Sequence, residues 1–519
     1  MTASGDLISL DGSSLTLAQV WAVAVDGARV ELSADARGRM LRTRDVVAAI
    51  VERGDVVYGV TTGFGKLSEV AISHDRLSEL QVNLVRSHSA GVGPLLPERE
   101  VRAMMLLRSN VLAKGYSGAR PDLVDLLIGM LNAGLYPPVP EQGSVGASGD
   151  LAPLAALGVS LIGEGELYRA SDDGVERAQE QPASGPAGEM LRAAGLEPVR
   201  LGPKEGITLI NGTQAHTAIA ALAATDARTI WRTAHVAGAM SLDALLGTPV
   251  PFDARIHAAR GQKGQARSAE LLRDLLAESE LRESHRLGDP RVQDAYSLRC
   301  MPQVHGPVLD ALEWIEGVIV RELNAATDNP LVFESGEVLS GGNFHGLAVG
   351  NALDLLTIVM TNVATMSERR IDRLVNPDFN QGLPAFLSAD PGLHSGFMMA
   401  QVAAAALASE CKVLSHPASV DTIPTDGSRE DVVPMAMGAA WKARRVVANV
   451  QRVLAIELMC AAQGLDYRAP LKPGRGVRPA HATVRSMVRP LDADRVLTPD
   501  IELLADAVAR GRFAGEVTS

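Results

Sequence analysis

The segment Gly143-Ser144-Val145-Gly146-Ala147-Ser148-Gly149-Asp150 holds residues that can react with one another. It runs into the apolar stretch Leu151 to Leu157, where Asp150 suits a helix N-cap and Pro153 falls in the first turn. The amide nitrogen of Gly149 is unhindered and can attack the carbonyl carbon of Ala147 if the backbone bends back. Loss of water then closes a five-membered ring. Dehydration of Ser148 leaves an exocyclic methylidene, and the product is a methylidene-imidazolone (MIO), an electrophile made from the chain itself. Helix-terminal N–H groups would stabilise negative charge developing on the ring oxygen. Ala-Ser-Gly alone is weak evidence, since it also occurs at Ala3-Ser4-Gly5 and Ala183-Ser184-Gly185. Only the copy at Ala147 lies between flexible glycines and the start of an apolar helix.

A second candidate is Tyr58-Gly59-Val60-Thr61-Thr62-Gly63-Phe64-Gly65, whose glycines permit backbone conformations closed to other residues. A tyrosine opening such a loop could swing over a pocket as a lid. Local features alone favour the plainer reading, an ordinary turn with a half-buried tyrosine.

The elements that must position these segments read mostly as helix. Val101 to Lys114 and Leu123 to Ala133 have helical apolar spacing, and Pro137, Pro138 and Pro140 then impose an extended segment. Gln214–Leu246, Pro307–Ala325, Leu347–Val375, Ser395–Leu414 and Met435–Gln463 are long and apolar. Several are apolar on nearly all sides, which predicts burial in a thick bundle; those from Leu347 and Met435 are expected to need partner chains. Strand signals are few: Val56 to Val60, and a hairpin of Leu331–Phe333 with Glu337–Leu339. Arg169 to Gly188 reads as an exposed loop. The expected fold class is mainly α, with a smaller globular N-terminal part over 1–200 carrying the Tyr58 loop and the reactive tripeptide, and a long helical bundle over 201–519.

Composition narrows the function classes. The 519 residues carry 49 Lys plus Arg against 61 Asp plus Glu, a formal charge of −12, with no basic block for nucleic acid. Cys300, Cys411 and Cys460 are far apart with no CxxC, which argues against a disulfide framework or a cysteine metal site and suits a reducing cytosol. There is no HExxH, phosphate loop or dinucleotide fingerprint. The first residues lack a signal-peptide pattern, and no uninterrupted apolar stretch of about 18 residues occurs, so a cytoplasmic protein that spans no membrane is expected.

Taken together the motifs resemble the MIO-dependent aromatic amino acid ammonia-lyases and aminomutases, most closely the histidine-specific branch. The matching segments are Tyr58–Gly65, Asn83-Leu84-Val85-Arg86-Ser87-His88, Gly143–Pro153 and Asn211-Gly212-Thr213-Gln214. Further on come Val292–Cys300, Gly342-Asn343-Phe344-His345-Gly346, Ser367-Glu368-Arg369-Arg370 and Arg429-Glu430-Asp431. They follow the family's order from about residue 10 to about residue 510. The resemblance implies a mainly α-helical homotetramer whose active sites collect residues from three subunits. It implies elimination of ammonia from L-histidine to give trans-urocanate, with MIO made autocatalytically from Ala147-Ser148-Gly149 and no external cofactor.

By the same resemblance Tyr58 is the base for the β-proton and Tyr296 lies near the departing amine. Arg299 pairs with the substrate carboxylate, and Asn211 and Gln293 are polar groups around ring and substrate. Phe344 is an aromatic wall, and His88 and Glu430 recognise imidazole. Each has a plainer alternative: a helix-borne ion-pair arginine, packing of Gln293 and Tyr296 at i,i+3, an acidic pair at a helix start, a satisfied half-buried histidine. Glu368-Arg369-Arg370 reads as structural. Ser87-His88 and Glu430 fit histidine as substrate, but Val432 stands where histidine-specific members usually carry His. A tyrosine ammonia-lyase or aminomutase therefore stays open, as does a catalytically retired helical assembly protein.

Overall fold

The computed structural model describes residues 7–169 and 183–516. The copy of Ala-Ser-Gly at residue 3, and most of the loop expected at Arg169–Gly188, lie outside these residues. The flanks of that loop are not loop: Ser184–Pro186 pairs antiparallel with Glu166–Arg169, and Ala187–Ala193 is helical.

Helix dominates, as the apolar spacing predicts. The helices used below are α1 (Leu77–His88), α2 (Glu98–Ala113), α3 (Pro121–Asn132), α4 (Leu151–Leu161) and α5 (Glu205–Ile210). After them come α6 (Gln214–Ala244), α7 (Met301–Leu323), α8 (Leu347–Val375), α9 (Met398–Leu414) and α10 (Ala436–Asp466). The α7 helix begins at Met301 and runs through Pro307. Strands form only small sheets of two or three, among them the expected hairpin Leu331–Val332 with Val338–Leu339. Val56–Val60 is a turn and no strand. Val57 N donates to Thr61 Oγ1 (2.9 Å) and Thr61 N to Val57 O (3.0 Å), so a hydroxyl captures the backbone that β-branched residues would have extended.

The chain divides into two compact units. The first takes residues 1–222, 316–353 and 417–441; the second takes 223–315, 354–416 and 442–519. In the first, α1, α4 and α5 pack on one another and α2 packs on α3. From Ala103 to Ala113 the α2 helix is buried all round, including Arg108. Its guanidinium donates to the carbonyls of Thr208 and Asn211 and to Gln214 Oε1 (2.6 Å). It thus fills the carbonyls that the end of α5 leaves unpaired.

In the second unit, buried Glu457 accepts from Arg370 (2.5 and 2.8 Å), Ser241 (2.7 Å) and Ser367 (2.6 Å). Arg370, from the Glu368-Arg369-Arg370 segment, is thus held in a buried ion pair. Two helices, α8 and α10, are long and apolar enough to cross a bilayer by length and composition, but 67% and 83% of their apolar windows are buried inside the chain. Their own chain covers most of both windows, while Leu347, Ile358 and Trp441 stay exposed. The helix left bare is α9. It buries only the narrow stripe Ala400, Ala404 and Cys411, and exposes Met399 (65%) and Val413 (69%).

Candidate active site

The reactive tripeptide sits in a loop gripped from behind. Gly149 has φ of +73°, and a Cβ there would stand 2.0 Å from the Gly212 carbonyl oxygen, so the position admits glycine alone. That carbonyl accepts from Asp150 N (2.7 Å). Asp150 occupies the N-cap position of α4, as expected, but its carboxylate caps another helix. Fully buried, it accepts from the N–H groups of Ala215 and His216 at the start of α6 (both 2.9 Å). It also meets His216 Nδ1 (2.9 Å) and the hydroxyl of Ser144 (2.8 Å). Burial pushes Asp150 upward, yet the charge and hydrogen bonds of His216 hold it below the usual carboxylate range. Burial likewise opposes charge on His216, and Asp150 overrides it, raising the imidazole above its ordinary value. The loop is therefore anchored to α6 by a buried ion pair.

Asn211 follows α5 and reaches the same loop. Its Nδ2 donates to the Ser148 carbonyl oxygen at 2.9 Å, and Arg108 holds its own carbonyl. In a ring closed from Gly149 N to Ala147 C, the Ser148 oxygen is the ring oxygen. The hydrogen bond at the atom where negative charge would develop thus comes from an amide side chain, where helix N–H groups were expected. Asn211 Oδ1 is buried and has no partner among the described residues, leaving an acceptor beside the loop. The glycine-only position, the donor on the ring oxygen and the bent loop all fit an MIO ring.

In front of the tripeptide lies a cavity of about 580 Å³, bounded by Tyr58, Ala147, Ser148, Phe344 and Glu430, with Asp431 and Val432 beside them. Ser148 Oγ donates to Glu430 Oε1, and Thr425 Oγ1 donates to Glu430 Oε2. Glu430 closes a tight loop: Thr425 N donates to the Glu430 carbonyl (2.9 Å), and the turn between them holds Asp426 and Ser428 at φ of +47° and +65°. Left-handed non-glycine residues of this kind store strain. The Tyr58 loop is tied to this turn. Gly65 has φ of +51°, and a Cβ there would stand 2.1 Å from Asp426 Oδ2. Arg429 also pairs with Glu69 (3.2 Å).

Burial raises the pKa of Tyr58; a backbone hydrogen bond from Gly65 lowers it in part, and the carboxylates of Asp426, Glu430 and Asp328 raise it further. Within one chain the tyrosine is thus held protonated. The charged groups acting on Tyr58 in this chain are acidic.

The remaining expected residues fall elsewhere. His88 is the last residue of α1, half-buried, with Nδ1 at 2.9 Å from the Leu84 carbonyl and 3.0 Å from Ser87 Oγ; it is not among the residues lining the cavity. Gln293, Tyr296 and Arg299 belong to the second unit, on a segment that ends in the short helix Tyr296–Arg299. Gln293 is exposed, Tyr296 is 69% exposed, and the Arg299 guanidinium lies over the Tyr296 ring at 4.7 Å. None of the three lines the cavity of the first unit.

Sequence reasoning missed Arg108, His216 and Thr425. A charged residue inside the apolar stretch 101–114, and a histidine at the head of an Ala-rich helix, are the signals that could have found the first two. Thr425 carries no such signal. Val432, the departure from the usual pattern, exposes its side chain at the cavity and offers its carbonyl to His345 Nε2 at 3.1 Å.

The sequence pattern of the family described as aromatic amino acid lyase matches residues 15–486. A histidine ammonia-lyase of Anaeromyxobacter sp. (strain K) is 55% identical over 508 residues, covering 98% of this chain and 99% of that protein. Among solved structures, histidine ammonia-lyase from Trypanosoma cruzi superposes with a TM-score of 0.89 at 43% identity, covering 99% of this chain and 95% of that one. Tyrosine aminomutase from Streptomyces globisporus gives 0.91 at 38% identity, over 99% and 98% of the two chains. The chain belongs to the aromatic amino acid lyase family.

Proposed function

We propose that the chain eliminates ammonia from L-histidine to give trans-urocanate, at a site built around an MIO ring formed from Ala147-Ser148-Gly149 without an external cofactor. The observation that carries the reading is that one cavity of one chain gathers Tyr58, Ser148, Phe344 and Glu430. The full-length likeness to a histidine ammonia-lyase supports the choice of substrate.

The ring supplies an electrophile that makes the amino group a better leaving group, a covalent strategy. Around it the chain's own residues bind, orient and move protons. Asn211 polarises the Ser148 oxygen, and Phe344 walls the cavity. Glu430 holds the imidazole by accepting its N–H, and His88, outside the lining of this cavity, takes no part in that contact. Tyr58 takes the β-proton. Arg299 clamps the substrate carboxylate with its planar fork, beside Gln293, while Tyr296 faces the leaving amine. Because Gln293 and Tyr296 stand exposed on the second unit, with Arg299 half-buried against the Tyr296 ring, the reading includes a homotetramer in which neighbouring copies complete each site. The bare apolar face of α9 supports it, since a closed symmetric assembly is the ordinary way to cover such a face. Widely spaced cysteines and buried apolar helices suit a cytosolic enzyme.

The tyrosine-directed reading is favoured by one observation, Val432 in place of a histidine. The two are separated by Glu430→Gln, assayed as kcat/KM for L-histidine and L-tyrosine. Loss of a charge-assisted hydrogen bond to imidazole is expected to cost roughly 1.5–3 kcal/mol, about one to two decades, on histidine alone. The ratio of the two substrates cancels any change in the fraction of chains carrying the ring. An unchanged ratio removes Glu430 from recognition and favours the tyrosine reading.

A further inference from the structure

We propose that Glu430 also matures the site: it carries the proton that lets Ser148 lose its hydroxyl. The inference rests on the reading of Ala147-Ser148-Gly149 as ring-forming and extends it to a residue of the distant segment 425–430. Ring closure and dehydration are separate problems. Closure needs Gly149 N pressed toward the Ala147 carbonyl, which the backbone contacts of Gly149, Asp150 and Asn211 favour. Dehydration needs an acid, because hydroxide leaves a saturated carbon poorly. The ionisable group hydrogen-bonded to Ser148 Oγ is Glu430, through Oε1. Asp150, although adjacent in sequence, is buried and committed to Ala215, His216 and Ser144.

The step balances within the chain. The Cα–H bond of Ser148 breaks and its electron pair forms the Cα=Cβ double bond. The Cβ–Oγ bond breaks with its pair on oxygen. The proton lost from Cα is taken up by the Glu430 carboxylate and handed to that oxygen, which leaves as water into the cavity, and the carboxylate is restored. Nothing is oxidised or reduced. Thr425 positions the acid by donating to its other oxygen, Oε2, across a turn that is strained at Asp426 and Ser428. Once Oγ has left, Glu430 Oε1 loses its hydroxyl donor and is free to accept a ring N–H of substrate. One carboxylate then serves maturation first and recognition afterwards.

The test is the whole-protein mass of full-length chains, sampled over time after a short expression pulse in the absence of substrate. Wild type is expected to lose two waters. Glu430→Gln is expected to lose the first at the wild-type rate and to stall before the second, which slows by roughly 10²-fold, the lower range for removal of a general acid. Thr425→Val, which leaves the carboxylate in place, is expected to slow the same second loss by less. A role of Glu430 confined to holding the loop would delay both waters together, so a stall at one water separates proton transfer from positioning. Loss of both waters from Glu430→Gln at the wild-type rate overturns the proposal and leaves the ring intact as a reading. A wild-type chain that loses no water overturns the ring itself. If Glu430→Gln fails to fold, judged by its helical circular dichroism, Thr425→Val decides: wild-type kinetics there overturn the proposal.

Discussion

Ser148→Ala is expected to abolish turnover of L-histidine while the chain stays folded and keeps one of the two waters that wild type loses. The alanine still permits attack of Gly149 N on the Ala147 carbonyl, because the contacts that favour it lie in the backbone and in Asn211. It carries no β-hydroxyl, so no methylidene forms and the amine meets no electrophile. The cavity loses one oxygen and Glu430 one donor, and neither change touches the buried Asp150–His216 anchor. The whole-protein mass and a histidine assay check both halves. Activity near wild type would mean that another group activates the amine. The same variant tests shared sites. Tyr58 and Ser148 line one cavity of one chain, so mixing Tyr58→Phe with Ser148→Ala subunits does not rebuild a site. Mixing Ser148→Ala with Tyr296→Phe subunits is expected to restore part of the activity, because Tyr296 belongs to the exposed surface of the second unit.

Tyr58→Phe is expected to lower kcat/KM by roughly 10²- to 10⁴-fold, the usual contribution of a general base, with the two-water mass loss unchanged. The sign of the pH dependence follows from its surroundings. Burial and the carboxylates of Asp426, Glu430 and Asp328 raise the Tyr58 pKa from a starting value of about 10. The base is the phenolate, so wild-type kcat/KM should rise with pH, and this rise should vanish in the phenylalanine variant. The positive charge that brings the phenolate nearer to neutral pH is expected from the substrate ammonium and from Arg299 of a neighbouring copy. Arg299→Ala should therefore move the rising limb to higher pH in addition to weakening substrate binding. A rising limb that survives in Tyr58→Phe would assign the base to another residue.

Local apolar patterning carried most of the fold. The helices at 214, 347, 398 and 436 were legible because they are long apolar runs, several of them apolar on nearly all sides, and the hairpin at 331 because two short strand segments flank a glycine turn. What such patterning cannot show is which chain covers an apolar helix. The α8 and α10 helices are long and apolar enough to cross a bilayer and are mostly covered within the chain, whereas α9 stays largely bare. Val56–Val60 misled because β-branched side chains favour strand only when nothing local competes, and here the Thr61 hydroxyl does.

In the site, chemistry-bearing types were legible and their long-range partners were not. Asp150 was read as the cap of its own helix and instead caps α6, with a histidine two residues past a quoted motif. Glu430 was placed in substrate recognition. Its contact with Ser148, 282 positions away in sequence, is a property of the folded chain alone.

The central claim is that this chain turns L-histidine into trans-urocanate and ammonia. It is tested most directly by incubating the purified full-length protein separately with L-histidine, L-tyrosine and L-phenylalanine, following product absorbance and released ammonia. The account predicts urocanate and ammonia in equal amounts from histidine, with the two other substrates far slower. A β-amino acid or an arylacrylate formed from tyrosine, with no urocanate from histidine, would contradict it.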